Sequence, residues 1–164
     1  MESQMDQILK RHFAQHPLSE QRILLDKFPD LDFTHLEAAY AVGHDLFQQH
    51  KYEDAEKIFY CLATMNHFEV RYWKALAVTL FVEKKYAEAV GIYLAAYFLN
   101  PMDIEVTSAM ADCCMAMGDA DGTREFLNQT CELFKEVGER PDLANRAKGL
   151  LEMMGKGEKH NEER

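Results

Sequence analysis

Basic residues are scarce in this sequence. Its 164 residues include 18 lysines and arginines against 28 aspartates and glutamates, which gives a formal net charge of -10. Nucleic acids and anionic membranes both attract proteins through a basic face. The deficit therefore argues against either of them as the main partner.

Long apolar runs are missing as well. No stretch approaches the roughly 20 apolar residues that a membrane-spanning helix needs. The charged N-terminus also has no apolar core of the kind found in export signals. We therefore expect a soluble, cytoplasmic protein without stable membrane association.

Motifs for metal binding, phosphate binding and covalent catalysis are absent too. No CxxC, HxxxC or HExxH string occurs, and His12 and His16 form a lone pair four residues apart. There is no GxxxxGK(S/T) loop that could hold a phosphate. His44 and the cysteines cannot be paired with a catalytic partner from spacing alone. We predict no metal, no cofactor and no enzymatic activity.

The four cysteines are Cys61, Cys113, Cys114 and Cys131. Two of them are adjacent, and the other two fall within predicted helices. Helical thiols in a chain without an export signal are usually reduced and buried. We interpret them as structural side chains.

The sequence does contain an internal repeat, in which residue 75 is the equivalent of residue 41 one 34-residue unit earlier. Eight residues recur identically at this spacing: Ala41, Leu46, Phe47, Lys51, Tyr52, Ala55, Ile58 and Asn66 match Ala75, Leu80, Phe81, Lys85, Tyr86, Ala89, Ile92 and Asn100. A 34-residue unit with an aromatic near its start, a small residue near its middle and a proline at its end is the tetratricopeptide pattern of two antiparallel helices. The sequence therefore predicts units at 36–69, 70–103 and 104–137.

The predicted fold is an all-α tetratricopeptide-repeat solenoid of three helix pairs spanning residues 35–137. The six helices are expected near 35–49, 52–65, 69–82, 86–99, 103–117 and 121–137. An N-terminal helical segment (1–34) precedes the repeats, and a capping helix (138–155) beginning near Pro141 follows them. The charged residues 156–164 are expected to be disordered.

The N-terminal segment carries Met5, Ile8, Leu9 and Phe13 at helical spacing. It exposes more apolar surface than one short helix can bury alone. We expect it to dock either on the first repeat or on a second copy of the chain. In the second case Ile8, Leu9 and Phe13 are the candidates for a homodimer contact.

The predicted binding surface is a stripe on the first helix of each pair. Positions 4, 7, 8 and 11 of a unit pack inward, and at about 100° per residue positions 2, 5, 9 and 12 lie about 130° away. We expect this stripe to line a concave groove for a peptide. It consists of Glu37, Tyr40, His44 and Phe47 in the first unit, Arg71, Lys74, Val78 and Phe81 in the second, and Glu105, Ser108, Asp112 and Met115 in the third.

Two strings give the repeat pattern a more specific resemblance. KYEDAEKIFYCLATMNHFEVRYW, residues 51–73, has Asn66-His67-Phe68 where an ordinary repeat has Asp-Pro, and CCMAMGD covers residues 113–119. Both resemble the class II chaperones of bacterial type III secretion systems, over about residues 30–137.

The resemblance implies an all-helical protein with three repeats and often an N-terminal dimer contact. It implies a concave groove that holds an extended, proline- and leucine-containing segment of a pore-forming translocator, with Tyr40 and Phe47 as groove aromatics. The expected function is then that of a cytoplasmic chaperone that keeps secreted translocators soluble and secretion-competent.

Two other binding functions fit the same scaffold. One is a generic tetratricopeptide adaptor, including the carboxylate-clamp kind. A clamp needs Lys, Asn and Arg along the stripe, where this sequence has Tyr40 and His44 with only Arg71 and Lys74 as a basic pair. The other is a secretion-assembly or regulatory factor that binds another protein's peptide.

Overall fold

The structure is a computed structural model, and it describes residues 33–162, with side chains from 34 to 156. This part of the chain forms seven α-helices and contains no strand. They are α1 (Phe33–Gln48), α2 (Tyr52–Met65), α3 (Val70–Val82), α4 (Tyr86–Leu99), α5 (Ile104–Met117), α6 (Ala120–Val137) and α7 (Pro141–Glu162). The predicted all-α class is confirmed, and the six repeat helices begin and end within two residues of their expected bounds. The predicted N-terminal helix with Ile8, Leu9 and Phe13 lies outside the described residues.

The turn inside each predicted repeat uses the same backbone conformation at the same position. His50, Lys84 and Gly118, each one repeat period after the last, have φ values of 60°, 64° and 76°. In each turn the next residue donates its N–H to a carbonyl five residues earlier, as Lys85 does to Leu80 at 2.9 Å. This left-handed residue satisfies the last carbonyls of the first helix and reverses the chain.

The chain forms two compact units, the first ending at Leu99 and the second beginning at Asn100. In the first unit each helix packs on the next, from α1 to α4. Gly43 of α1 faces Phe59 of α2 so closely that a Cβ on residue 43 would lie 2.6 Å from the ring. Small residues at this position let the paired helices approach, and Phe59 fills the space between them.

The second unit contains α5, α6 and α7. Its core is centred on Ala111, Leu127 and Ala147, one from each helix. The hydroxyl of Thr130 donates to that of Thr107 at 3.1 Å, so two buried polar groups satisfy each other. Helix α7 contacts both α6 and α5, and thereby covers apolar surface as the predicted cap requires.

The expected disorder of residues 156–164 is wrong for most of that segment. Helix α7 continues as far as Glu162. Lys and Glu have high helix propensity, and extending an existing helix does not incur the cost of nucleation again. A charged composition by itself therefore did not end the helix.

The cysteines are free thiols at interior positions. Cys113 and Cys114 are buried in α5, and Cys61 and Cys131 are half-buried. Burial raises the pKa of Cys113 to about 12 and raises the pKa of the other three thiols as well. Such thiols are poor nucleophiles.

Candidate functional site

The first compact unit contains a concave pocket between α1 and α3. Its volume is about 370 Å³, within the usual range for ligand pockets of roughly 300–1,000 Å³. The pocket is lined by Tyr40, His44 and Phe47 of α1, Phe59 of α2, and Val70, Arg71, Lys74, Ala75 and Val78 of α3.

Six of the eight residues on the predicted stripe of the first two repeats line this pocket: Tyr40, His44, Phe47, Arg71, Lys74 and Val78. The stripe prediction missed Phe59, Val70 and Ala75. Phe59 is the buried floor, contributed by a second helix that a stripe on first helices cannot include. Val70 and Ala75 lie beside stripe positions on α3, so their contribution depends on how α3 is rotated against α1.

Aromatic packing holds the α1 side of the pocket in place. The Tyr40 ring lies 4.5 Å from that of His44, 5.8 Å from Phe59 and 5.3 Å from Tyr72, measured between centroids. The contacts with His44 and Phe59 are edge-to-face and the one with Tyr72 is tilted, and such contacts at these distances stabilise a defined ring orientation. Burial raises the pKa of the Tyr40 hydroxyl, so it stays protonated at neutral pH. The α1 side of the pocket therefore has a packed aromatic surface with an uncharged Tyr40 hydroxyl.

An ion-pair network joins α1 to α3 at the rim. Nη2 of Arg71 donates to Oε1 of Glu37 at 2.7 Å and to Oε2 of Glu69 at 3.1 Å. The guanidinium also lies 5.3 Å from the centre of the Tyr40 ring. These hydrogen bonds raise the pKa of Arg71 and lower that of Glu69. Arg71 is therefore held by protein carboxylates and serves as part of the wall.

Phe47 and Phe81 occupy the same position in successive repeats, and each packs on the tyrosine that begins the following helix. The Phe47 and Tyr52 rings are 5.2 Å apart, and the Phe81 and Tyr86 rings are 5.3 Å apart. Both phenylalanines are half-buried. Phe47 also reaches the pocket, whereas Phe81 is not among its lining residues. The aromatic pair thus belongs to the repeat scaffold as well.

The stripe on α5 of the second unit has a different character. Arg146 of α7 donates to both carboxylate oxygens of Asp112, at 3.1 and 2.5 Å, and Arg140 pairs with Glu105. Ser108 is only 5% exposed, which contradicts its expected place on the open stripe. Helix α5 is contacted by both α6 and α7, so more of its circumference is covered. Met115 remains 40% exposed.

Sequence counting could have found one of these arginines. Arg146 follows Asp112 by 34 residues, so α7 continues the repeat numbering as a fourth first helix. The prediction treated α7 only as an apolar cap and overlooked its charged side.

Among the side chains that the structure describes, from residue 34 to residue 156, no group of three or more His, Cys, Asp or Glu is arranged to hold a metal ion. In the same part of the chain no helix is both long and apolar enough to cross a membrane.

Comparison with known proteins bears on both the fold and the site. The family model described as "Tetratricopeptide repeat" matches residues 71–99, most of the second predicted unit. The fold is that of a tetratricopeptide-repeat protein. The Low calcium response locus protein H of Yersinia pestis is 25% identical over 117 residues, covering 71% of this chain and 70% of the relative.

Two solved structures resemble the chain over most of their own length. One is PcrH of Pseudomonas aeruginosa in complex with the chaperone binding region of PopD, with a TM-score of 0.72, 26% identity, and coverage of 79% of this chain and 97% of that one. The other is the Yersinia enterocolitica type III secretion translocator chaperone SycD in an alternative dimer, with a TM-score of 0.72, 22% identity, and coverage of 79% and 98%. The resemblance to the translocator chaperones is confirmed.

Proposed function

We propose that this protein is a chaperone that binds an extended segment of secreted translocator proteins in the pocket between α1 and α3. The observation that carries the proposal is a preformed, largely apolar pocket on the predicted stripe of a fold shared with PcrH, which was solved in complex with the chaperone binding region of PopD. A peptide side chain entering this pocket would contact Phe59 at its floor and Val78 at its wall.

Burial of an apolar anchor supplies the binding energy. Transferring a leucine-sized side chain from water into such a pocket contributes about 1.5–3 kcal/mol. The rings of Tyr40, His44 and Phe59 are already in contact with each other, so little additional ordering is needed on binding. A few such anchors along an extended segment are enough for specific recognition.

The polar rim fixes the register of the bound segment. Glu37, His44, Arg71 and Lys74 surround an apolar floor, an arrangement in which polar groups orient a ligand while apolar groups hold it. Because Arg71 is engaged with two carboxylates, it orients the wall in this proposal and is not the primary ligand contact. Phe81, Asp112 and Met115 stay candidate peptide contacts. Met115 offers an adaptable thioether to the peptide. The carboxylate of Asp112 is already paired with Arg146, so a peptide could bind it only alongside that arginine.

Chaperoning follows from the chemistry of the client. A protein with long apolar helices aggregates or inserts into the wrong bilayer unless those segments are held apart. A carrier with a net charge of -10 keeps the complex in solution. In this proposal the protein acts in the bacterial cytoplasm, forms a homodimer and catalyses no reaction. Release of the client then depends on the secretion machinery or on competition.

The carboxylate-clamp adaptor is disfavoured by the rim. Such a clamp needs basic side chains directed at two ligand carboxylates. Here Arg71 already meets Glu37 and Glu69, and a further carboxylate at this point would meet their negative charge.

The decisive experiment compares two valines on α3. Val78 is 41% exposed and lines the pocket, whereas Val82, one turn later, is 38% exposed and lies outside the lining set. Val78→Asp places a carboxylate in an apolar wall and should weaken binding at least tenfold, and Val82→Asp should bind as the wild type does. Fluorescence anisotropy with a labelled PopD chaperone-binding-region peptide measures the affinity, and pull-down from cells co-expressing the cognate translocators identifies the client.

Equal binding by the wild type and Val78→Asp would refute the pocket assignment. Capture of a protein that is not a translocator, with no translocator bound, would instead favour the adaptor or assembly-factor function.

A further inference from the structure

Positions 7 and 11 on the inward face of α1 are more exposed than the corresponding positions of later repeats. Position 7 of the three units is held by Val42, Leu76 and Met110, which are 49%, 1% and 1% exposed. Position 11 shows the same trend, since Leu46 is half-buried and Leu80 is completely buried. Equivalent side chains therefore have unequal surroundings.

The difference arises from the neighbours of each helix. Helix α3 packs against α2 on one side and α4 on the other, whereas the principal neighbour of α1 among the described helices is α2. A second helix preceding α1, equivalent to α2 before α3, would complete the packing around Val42. In repeat proteins the terminal unit needs such a cover, because stacking otherwise leaves an apolar face in water.

We propose that residues 1–32 of the same chain provide this cover and place Ile8, Leu9 and Phe13 against the Val42 face of α1. These side chains share one face of a predicted helix over residues 2–15. That helix would have about the same length as α2 and α4, which contain 14 residues each. The segment therefore has both the apolar stripe and the length of the missing element.

The segment can reach this face without a partner molecule. Residues 16–32 could extend over roughly 55 Å at about 3.3 Å per residue. Val42 lies only about 14 Å along α1 from Phe33, at 1.5 Å per residue. The segment is attached directly to α1, so its effective concentration at the face is about millimolar, well above that of a second copy in dilute solution. A homodimer would then use a surface other than Ile8, Leu9 and Phe13.

The test uses full-length protein and hydrogen exchange of the α1 amides, measured by mass spectrometry over a hundredfold range of protein concentration. The test variants are Val42→Asp and the pair Ile8→Asp with Phe13→Asp. Val82→Asp is the control for Val42→Asp. Val82 lies at position 13 of its unit, and this position is exposed in all three units, so no further helix is expected to cover it. Ser3→Asp with Gln7→Asp is the control for the pair, since it adds the same charge on the opposite face of the predicted helix.

Both test variants should speed exchange of the α1 amides at least tenfold, while exchange in α3 and the mass by light scattering stay unchanged. Both controls should match the wild type. The Ile8 and Phe13 pair decides the question, because these residues lie outside α1 and affect its exchange only by contacting it. Unchanged α1 exchange in that variant would overturn the proposal. The proposal would also be overturned if dilution removes the protection of the α1 amides while the mass falls by half. A second copy of the chain would then be what covers Val42.

Discussion

The contact between Gly43 and Phe59 predicts that Gly43→Ala destabilises the first compact unit. A Cβ at residue 43 would lie 2.6 Å from Cε1 of Phe59, 3.0 Å from Cζ and 3.1 Å from Cδ1. The ring has little room to move, because it is 1% exposed and lies 5.8 Å from the Tyr40 ring and 5.3 Å from the His44 ring. The added methyl group must therefore displace a packed aromatic cluster.

Two opposing terms set the magnitude. Replacing glycine by alanine within a helix favours folding by about 1 kcal/mol. Overpacking a core costs about 1–3 kcal/mol. Because the Phe59 ring is enclosed, we expect the cost near the upper end of this range. The net loss in free energy of unfolding, the difference between these two terms, should be about 1–2 kcal/mol.

Urea unfolding followed by far-ultraviolet circular dichroism measures this loss. Gly149→Ala is the matched control, since nothing lies within 4 Å of a Cβ at residue 149 of α7. It should stabilise the protein by about 0.5–1 kcal/mol. Adding Phe59→Leu to Gly43→Ala should cost less than the two single changes together, because Leu127 occupies this position in the third repeat beside Ala111. A Gly43→Ala protein as stable as Gly149→Ala would refute the argument.

Two further predictions concern the turns and the rim. Lys84 has a left-handed φ of 64°, so Lys84→Gly should raise the free energy of unfolding by about 0.5–1 kcal/mol. Gly118→Lys, the reverse change at the equivalent position, should lower it. A lower urea midpoint for Lys84→Gly than for the wild type would contradict this prediction. The pKa of Glu69 is lowered from 4.5 by its hydrogen bond to Arg71, so its contribution to stability is present above about pH 5 and is lost as the pH falls. Glu69→Gln should therefore reduce the drop in urea midpoint between neutral and acidic pH, and an equal drop in both proteins would exclude this role.

The rim prediction bears on function as well as stability. Arg71 links Glu37 of α1 to Glu69 at the start of α3, and it lies over Tyr40. Acidification that protonates Glu69 would loosen its ion pair with Arg71, which lies in the wall of the pocket. Client affinity should then weaken over the same acidic range as stability.

Local signals account for what could be predicted about the helices. Tyr52 and Tyr86 begin second helices one repeat period apart, and Asp103 and Asp119 accept N–H groups at the starts of α5 and α6. Caps and apolar periodicity act within a few residues, so they can be read from the chain directly. The left-handed conformations of His50 and Lys84 carried no comparable signal, since neither residue is the glycine that such a position favours.

The sequence by itself determined the repeat period, the helix order and the stripe that contains Tyr40, His44 and Val78, because a helix of fixed geometry converts spacing into direction. Tertiary structure alone decided that Phe59 of α2 closes the pocket and that Arg71 of α3 is held by Glu37 of α1. These contacts join residues that are distant in sequence. Their distances depend on how the helices pack, which no local pattern specifies.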